Sequence, residues 1–304
     1  MAIETSVIII TLERAALLGE ALESLTSQTR KPDEVVVVDN GPGDETAAVA
    51  RSFESRLTVR YAAEPRRGYG AARNRGLSEA RGRILLFLDD DCQAEPDWIE
   101  TLLKPLEAGE ADIAGGSRDC RRPGLAARLD YLSADAPVLH PRLERRYVTH
   151  MSTSNLAMWS EAARKTGPFD ESLATCEDRD FCKRALESGI RILFEPGALV
   201  HHQPPIERLA DYWTRMVRYG RGTSEYFLLH RDSEPLAPLF PASPVMRLLL
   251  LPALAALGSG YLVWKNLPRE PAAIWLSPLL FTGQICWQWG GYLATRQDRK
   301  APRR

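Results

Sequence analysis

Along the first hundred residues, short apolar runs alternate with amphipathic stretches. The runs 7–10, 35–38, 57–62 and 84–88 each predict a strand covered on both faces, and the stretches 14–26, 45–53, 71–80 and 98–106 predict helices between them. Apolar strands separated by helices in this way predict an α/β architecture, a mostly parallel central sheet with helices on both faces. From residue 110 to 230 the periods are less regular and isolated polar residues more frequent.

Beyond that the composition changes. A proline-rich segment, 231–244, predicts a linker. Residues 248–264 and 271–295 then carry no formal charge over 17 and 25 positions, with Pro268 in the break between them. This predicts a C-terminal helical hairpin over 245–304, its first run at the lower limit for a membrane span and its second long enough. Arg247 before the first run, and Arg296, Arg299, Lys300, Arg303 and Arg304 after the second, would put both ends on the cytoplasmic face of the cell membrane. The expected organisation is a domain over 1–230, the linker, and a membrane-associated hairpin with a basic tail. Pro252, Pro278, Gln284 and Gln288 suit the other reading, two buried or interfacial helices in a soluble protein.

Net charge is −1, so nothing electrostatic calls for a nucleic-acid partner. Five cysteines, an odd number with no CxxC pair, point to reduced thiols rather than a disulfide or zinc framework. No basic leader precedes the apolar run at 6–10, which therefore predicts a first strand rather than a signal peptide.

In open parallel sheets, ligands bind beyond the carboxyl ends of the strands. Every such end here is polar: Thr11, Asp39-Asn40, Glu64 and Asp89-Asp90-Asp91. Three adjacent carboxylates repel one another unless a cation or donors compensate. Hard cations, Mg²⁺ or Mn²⁺, prefer oxygen ligands and are shared with substrate phosphates, which suits acids at i and i+2. The residues after the triplet, Cys92-Gln93-Ala94, exclude a calcium-binding EF-hand loop. The stretch Gly68-Tyr69-Gly70-Ala71-Ala72-Arg73 has part of a dinucleotide fingerprint but carries Arg73 where Gly or Ala is wanted; it reads better as a helix entry that brings Arg73 and backbone amides to an anionic ligand.

The chain resembles family 2 glycosyltransferases. The resemblance is carried by Ser6-Val7-Ile8-Ile9-Ile10-Thr11, Pro32-Asp33-Glu34-Val35-Val36-Val37-Val38-Asp39-Asn40, Ala72-Arg73-Asn74-Arg75-Gly76, Phe87-Leu88-Asp89-Asp90-Asp91-Cys92, Ser154-Asn155-Leu156-Ala157, Gly167-Pro168-Phe169-Asp170-Glu171 and Glu177-Asp178-Arg179-Asp180-Phe181, over roughly 5–225. It implies a GT-A fold, Rossmann-like, a nucleoside-diphosphate sugar donor, Mg²⁺ or Mn²⁺, and inversion at the anomeric carbon. By position, it implies that Thr11, Glu13, Asp39 and Arg73 line the nucleoside pocket, Asp89 and Asp90 lie towards ribose and metal, Asp91 ligates the metal, and Asp178 is the general base. Where the family often reads Thr-Tyr-Asn-Arg, this chain has Thr11-Leu12-Glu13-Arg14, without the aromatic that would stack on a base.

Spacing alone does not separate Asp178 from Glu177, and acids in a first helical turn also complement the helix dipole. His201 and His202 follow an apolar run; His201 is taken as a candidate third metal ligand or phosphate contact, a satisfied structural histidine being the alternative. The aromatic and basic stretch 212–222 suits a pyrophosphate or anionic-lipid clamp, or an amphipathic helix; it lacks the Gln-x-x-Arg-Trp signature of processive synthases. The expected reaction is sugar transfer to a hydroxyl of a lipid-linked or cell-envelope glycan. A sugar nucleotidyltransferase would want a glycine-rich loop after the first strand, where Leu12-Glu13-Arg14 stands. A membrane-tethered nucleotide-sugar-binding module without catalysis would show no metal-dependent turnover.

Overall fold

The computed structural model describes residues 4–41 and 43–298. In chain order it runs β1 (Thr5–Thr11), α1 (Ala15–Thr26), β2 (Glu34–Asp39), α2 (Asp44–Ser52), β3 (Val59–Ala63), α3 (Tyr69–Glu79), β4 (Ile84–Asp89), β5 (Cys92–Ala94), α4 (Trp98–Glu107), β6 (Ile113–Cys120), α5 (Leu125–Ala134), α6 (Ala136–Leu139), β7 (Arg146–Tyr147), β8 (Asn155–Trp159), α7 (Ser160–Thr166), α8 (Glu177–Glu187), β9 (Ile192–His202), α9 (Leu209–Leu229), α10 (Pro244–Asn266) and α11 (Ser277–Asp298). Two compact units result, one from 1–121 with 139–204, the other from 122–138 with 205–304.

Among the described residues the first unit holds one nine-stranded sheet, ordered β3-β2-β1-β4-β8-β6-β9-β5 with β7 on β9. The expected parallel half is there: β3, β2, β1 and β4 run together, with Thr11 opposite Asp39 and Ile10 opposite Asp89. The other half is mixed, since β8 is antiparallel to both β4 and β6 while β6 and β9 are parallel. β-Branched and aliphatic runs such as Val35-Val36-Val37-Val38 are buried on both faces because helices cover each side. Leu18, Leu22 and Leu25 of α1 and Ile99, Leu102 and Leu106 of α4 lie at helical spacing and close the core.

Two family motifs turn out to be joints. Asn155 is buried, and its Nδ2 donates to the carbonyls of Ser117 and Ala198, both at 2.8 Å, while its Oδ1 accepts from Trp98 Nε1 at 2.7 Å. It thereby bridges β6 and β9 where their register slips between Gly116 and Ser117. Asn74 of α3 exchanges two hydrogen bonds with the backbone of Phe169, and a Cβ on Gly76 would lie 2.4 Å from Ile8. The motif around Arg73 thus keys α3 onto β1 and onto the loop ahead of α8.

In the second unit α9 and α11 pack backbone to backbone. A Cβ on Gly220 would sit 1.9 Å from the Trp287 carbonyl oxygen, and one on Gly290 would sit 2.0 Å from that of Val217. The stretch 231–244 is docked here, with Phe240 stacked on Phe227 at 3.9 Å. Arg247, read from sequence as a flanking charge, is buried instead; it donates to Ser224 Oγ at 2.7 Å and to the Pro241 carbonyl at 3.2 Å. Of the two uncharged runs, α10 is the helix long and apolar enough to cross a membrane among the described residues. The longer run falls short because Gln284, Gln288 and its glycines dilute its apolar character. The basic residues after 298 lie outside the described residues.

Candidate active site

Chain direction builds the site. β4 ends at Asp89, the chain turns through Asp90 and Asp91, and β5 immediately pairs with the end of β9, Cys92 opposite His202. The Gln203 backbone N–H donates to the Asp91 carbonyl at 2.7 Å and pins the turn. The triplet is therefore clamped between two strands of the sheet rather than hung on a free loop.

Each carboxylate of the triplet has its own surroundings. Asp90 is buried; Thr11 Oγ1 donates to it at 2.7 Å and Arg14 Nη1 at 3.2 Å. Burial, then the neighbouring Asp91, push the Asp90 carboxyl up to about 7 against the pull of Arg14 and Thr11. Asp91 is reached by the same Arg14 Nη1 at 3.3 Å and lies 3.5 Å from His202 Nε2. Asp89 lies 3.6 Å from Arg73, and burial raises its carboxyl too, with Arg73 opposing.

Arg73 is itself buried and ion-paired to Glu177, the first residue of α8. It links the β4 end to the acid pair, and its guanidinium also lies 5.4 Å from the Tyr69 ring. Glu177 is 3% exposed, and burial lifts its carboxyl to about 7 despite Arg73. Asp178, next in the chain, is half-buried in the first turn, where the Arg179 N–H donates to its Oδ1 at 2.7 Å. The pair that spacing left unresolved is thus separated: Glu177 is committed to Arg73, and Asp178 is the member with solvent access.

The remaining expected residues sit at the same sheet edge in different settings. Asp39 is fully buried and accepts from the Gly41 and Gly43 N–H groups, at 3.1 and 3.2 Å, and from the Tyr61 hydroxyl at 3.0 Å. It organises its own loop, and burial followed by that hydrogen bond pushes the Tyr61 phenol up to about 12. Glu13 is exposed, with φ 56°, and pairs with Arg67 at 2.7 Å rather than with the triplet. Glu13 and Cys176, at φ 69°, are the non-glycine residues in left-handed backbone among those described. One leads into α1 and the other into the acid pair of α8, and strain of this kind collects at functional loops.

His201 is turned away from the triplet, and this corrects the expectation. Its ring lies between Asp119 Oδ1 and Glu95 Oε1, each at 2.5 Å. Burial alone would lower its pKa, but those two hydrogen bonds outweigh it and hold it raised. Successive side chains of a strand face opposite ways, so the histidine that meets Asp91 is His202. The sequence also under-read Arg14, noticed only as part of a departure from a family pattern, although it spans Asp90 and Asp91. Strand alternation signalled that only one of the two histidines could face the acids, but not which.

The donor set suits a hard divalent cation. Asp89 and Asp91 offer carboxylate oxygens, the ligand type Mg²⁺ and Mn²⁺ prefer, while Arg14 on Asp90 and Asp91 and Arg73 beside Asp89 balance part of the charge. Among the described residues no three His, Cys, Asp or Glu side chains close into a cage. A cation here would complete its shell with substrate oxygens, as Mg²⁺ sites on phosphates commonly do.

A half-parallel sheet with an acid turn at the carboxyl edge and an acid pair opening the facing helix defines a GT-A transferase fold. A mannosyltransferase from Pyrobaculum calidifontis, solved with GDP-mannose and Mn²⁺, shares it: TM-score 0.64, 20% identity, over 98% of this chain and 88% of that one. The model described as glycosyl transferase family 2 matches residues 6–165, and the chain belongs to that family. Two Haloferax volcanii proteins are similar over three quarters of their length. Glycosyltransferase AglE is 30% identical over 234 residues, 75% of either chain. A glucosyl-dolichyl phosphate glucuronosyltransferase is 27% identical over 240 residues, 73% of this chain and 76% of its own.

Proposed function

We propose that the chain is an inverting, metal-dependent glycosyltransferase that moves a sugar from a nucleoside-diphosphate sugar to a hydroxyl of a lipid-linked or cell-envelope glycan, at the cytoplasmic face of the membrane. The observation that carries this reading is Arg73, paired with Glu177 and 3.6 Å from Asp89, which holds the acid pair against the acid turn.

Asp178 is the general base. It takes the proton of the acceptor hydroxyl as that oxygen attacks the anomeric carbon, while the bond from that carbon to the diphosphate breaks and the nucleoside diphosphate departs. Attack from the face opposite the leaving group inverts the centre. Asp91, Asp89 and His202 would hold Mg²⁺ or Mn²⁺, which when bound supplies Lewis-acid stabilisation to the leaving diphosphate. Arg14 keeps Asp90 and Asp91 in place, and Thr11 anchors Asp90 to β1. The relatives support the substrate classes: one is a glucosyl-dolichyl phosphate glucuronosyltransferase, and the similar mannosyltransferase was solved with GDP-mannose. The apolar exposed helix α10 supports membrane association.

The test is turnover of a panel of nucleotide sugars with Mn²⁺, with and without chelator. Release of nucleoside diphosphate from one donor class, abolished by chelator, is expected. Absence of metal-dependent turnover of any donor would overturn the reading in favour of a binding module.

A further inference from the structure

The second unit carries a groove that the transfer chemistry does not use. Pro244, Val245, Leu248 and Leu249 of α10 line it with Tyr292 and Arg296 of α11, around about 310 Å³. Among the described residues, one guanidinium and one phenol are its polar side chains, and no acidic side chain lines it. Leu249, 76% exposed, also begins a stripe along α10 that continues at helical spacing through Leu257, Tyr261 and Trp264, all exposed and none charged. Lys265 lies over the Tyr261 and Trp264 rings at 5.9 and 5.3 Å, and Trp275 in the following turn is 84% exposed.

A continuous apolar surface of this kind marks contact with a membrane or with another protein. Trp and Tyr grouped with a lysine at one end of the stripe match the headgroup boundary of a bilayer. Arg296 decides between occupants. A phosphate would satisfy it, whereas a second copy of the chain would present the same positive groove.

The geometry points to a site for a lipid with an anionic headgroup, its chain along Val245, Leu248 and Leu249 and its phosphate on Arg296, within a bilayer on which α10 rests by its exposed stripe. This deepens the membrane association proposed above.

Flotation of the full-length chain with vesicles of phosphatidylcholine, and with vesicles also containing phosphatidylglycerol, tests the site without any sugar transfer. A failure here therefore stays distinct from a failure of the catalytic reading. The wild type is expected to bind both and to prefer the anionic vesicles. Arg296→Gln should keep its binding to neutral vesicles and lose about five-fold of that preference. Leu249→Glu, and Leu257→Glu as a second exposed position, should lose binding to both while melting at the wild-type temperature. Binding of any of these variants to anionic vesicles at wild-type strength would overturn the site. So would a chain that ignores vesicles and sediments as a dimer broken by Leu249→Glu.

Discussion

Thr11 and Asp90 lie 79 positions apart and share a hydrogen bond, Thr11 Oγ1 donating to Asp90 Oδ2 at 2.7 Å. With Arg14 on its other oxygen, Asp90 is taken up by the β1 end, which leaves Asp89 to Arg73 and Asp91 to the Arg14 and His202 side. Thr11→Val keeps the shape and removes the donor beside a buried carboxylate. It is expected to destabilise the fold by about 1–3 kcal/mol, read from urea unfolding.

Asp178→Asn should lower kcat by about 10²–10⁴-fold and leave donor KM unchanged, as expected of a base that would act on the acceptor proton. Asp91→Ala should act differently, shifting the Mn²⁺ concentration needed for half-maximal rate upward or abolishing turnover. Steady-state kinetics with a metal titration separates the two. Wild-type turnover in Asp178→Asn would remove it from the role of base.

The two histidines should separate in opposite assays. His202→Ala is expected to weaken the Mn²⁺ response with little change in melting temperature. His201→Gln should leave the Mn²⁺ response and lower stability in a pH-dependent way. His201 has a raised pKa in the folded protein, so its contribution is fully present below its unfolded value of about 6.5 and is lost as pH rises through the folded value. The melting difference between wild type and His201→Gln should therefore be largest in mildly acid buffer and shrink in alkaline buffer. A constant difference across that range would contradict the assignment.

Glu177 gives a slope of the same sign over a lower range of pH. Its carboxyl is raised from 4.5 to about 7, so the folded state binds more protons than the unfolded state between those values and stability falls as pH rises through them. Glu177→Gln removes that slope. Relative to wild type its melting temperature should climb from pH 4.5 to pH 7, as differential scanning calorimetry would show.

In the second unit, Gly220→Val puts a side chain where the Trp287 carbonyl oxygen lies 1.9 Å from the Cβ position. Overpacking of this kind costs about 1–3 kcal/mol and occasionally more. A drop in melting temperature is expected, whereas the same change at Gly260, with open space around it, should cost nothing, since valine is a better helix former than glycine.

The sequence by itself determined the alternation of buried strands and helices, because a strand covered on both faces must be apolar throughout and that pattern survives in one dimension. It also determined that acids gather at the carboxyl edge, since parallel strands joined by helices put all their ends on one side. Tertiary structure alone decided which partner each acid meets. Glu177 and Asp178 are adjacent in sequence, but only the fold brings Arg73 to the first and leaves the second half-exposed. His201 and His202 carry the same chemistry, and the pairing of β5 with β9 sets which ring meets Asp91. Likewise, no local pattern marked Arg247 as buried, because its partners come from the α9 residue Ser224 and from Pro241. A side chain's environment is made by segments far away in the chain, and only the packed structure says which ones arrive.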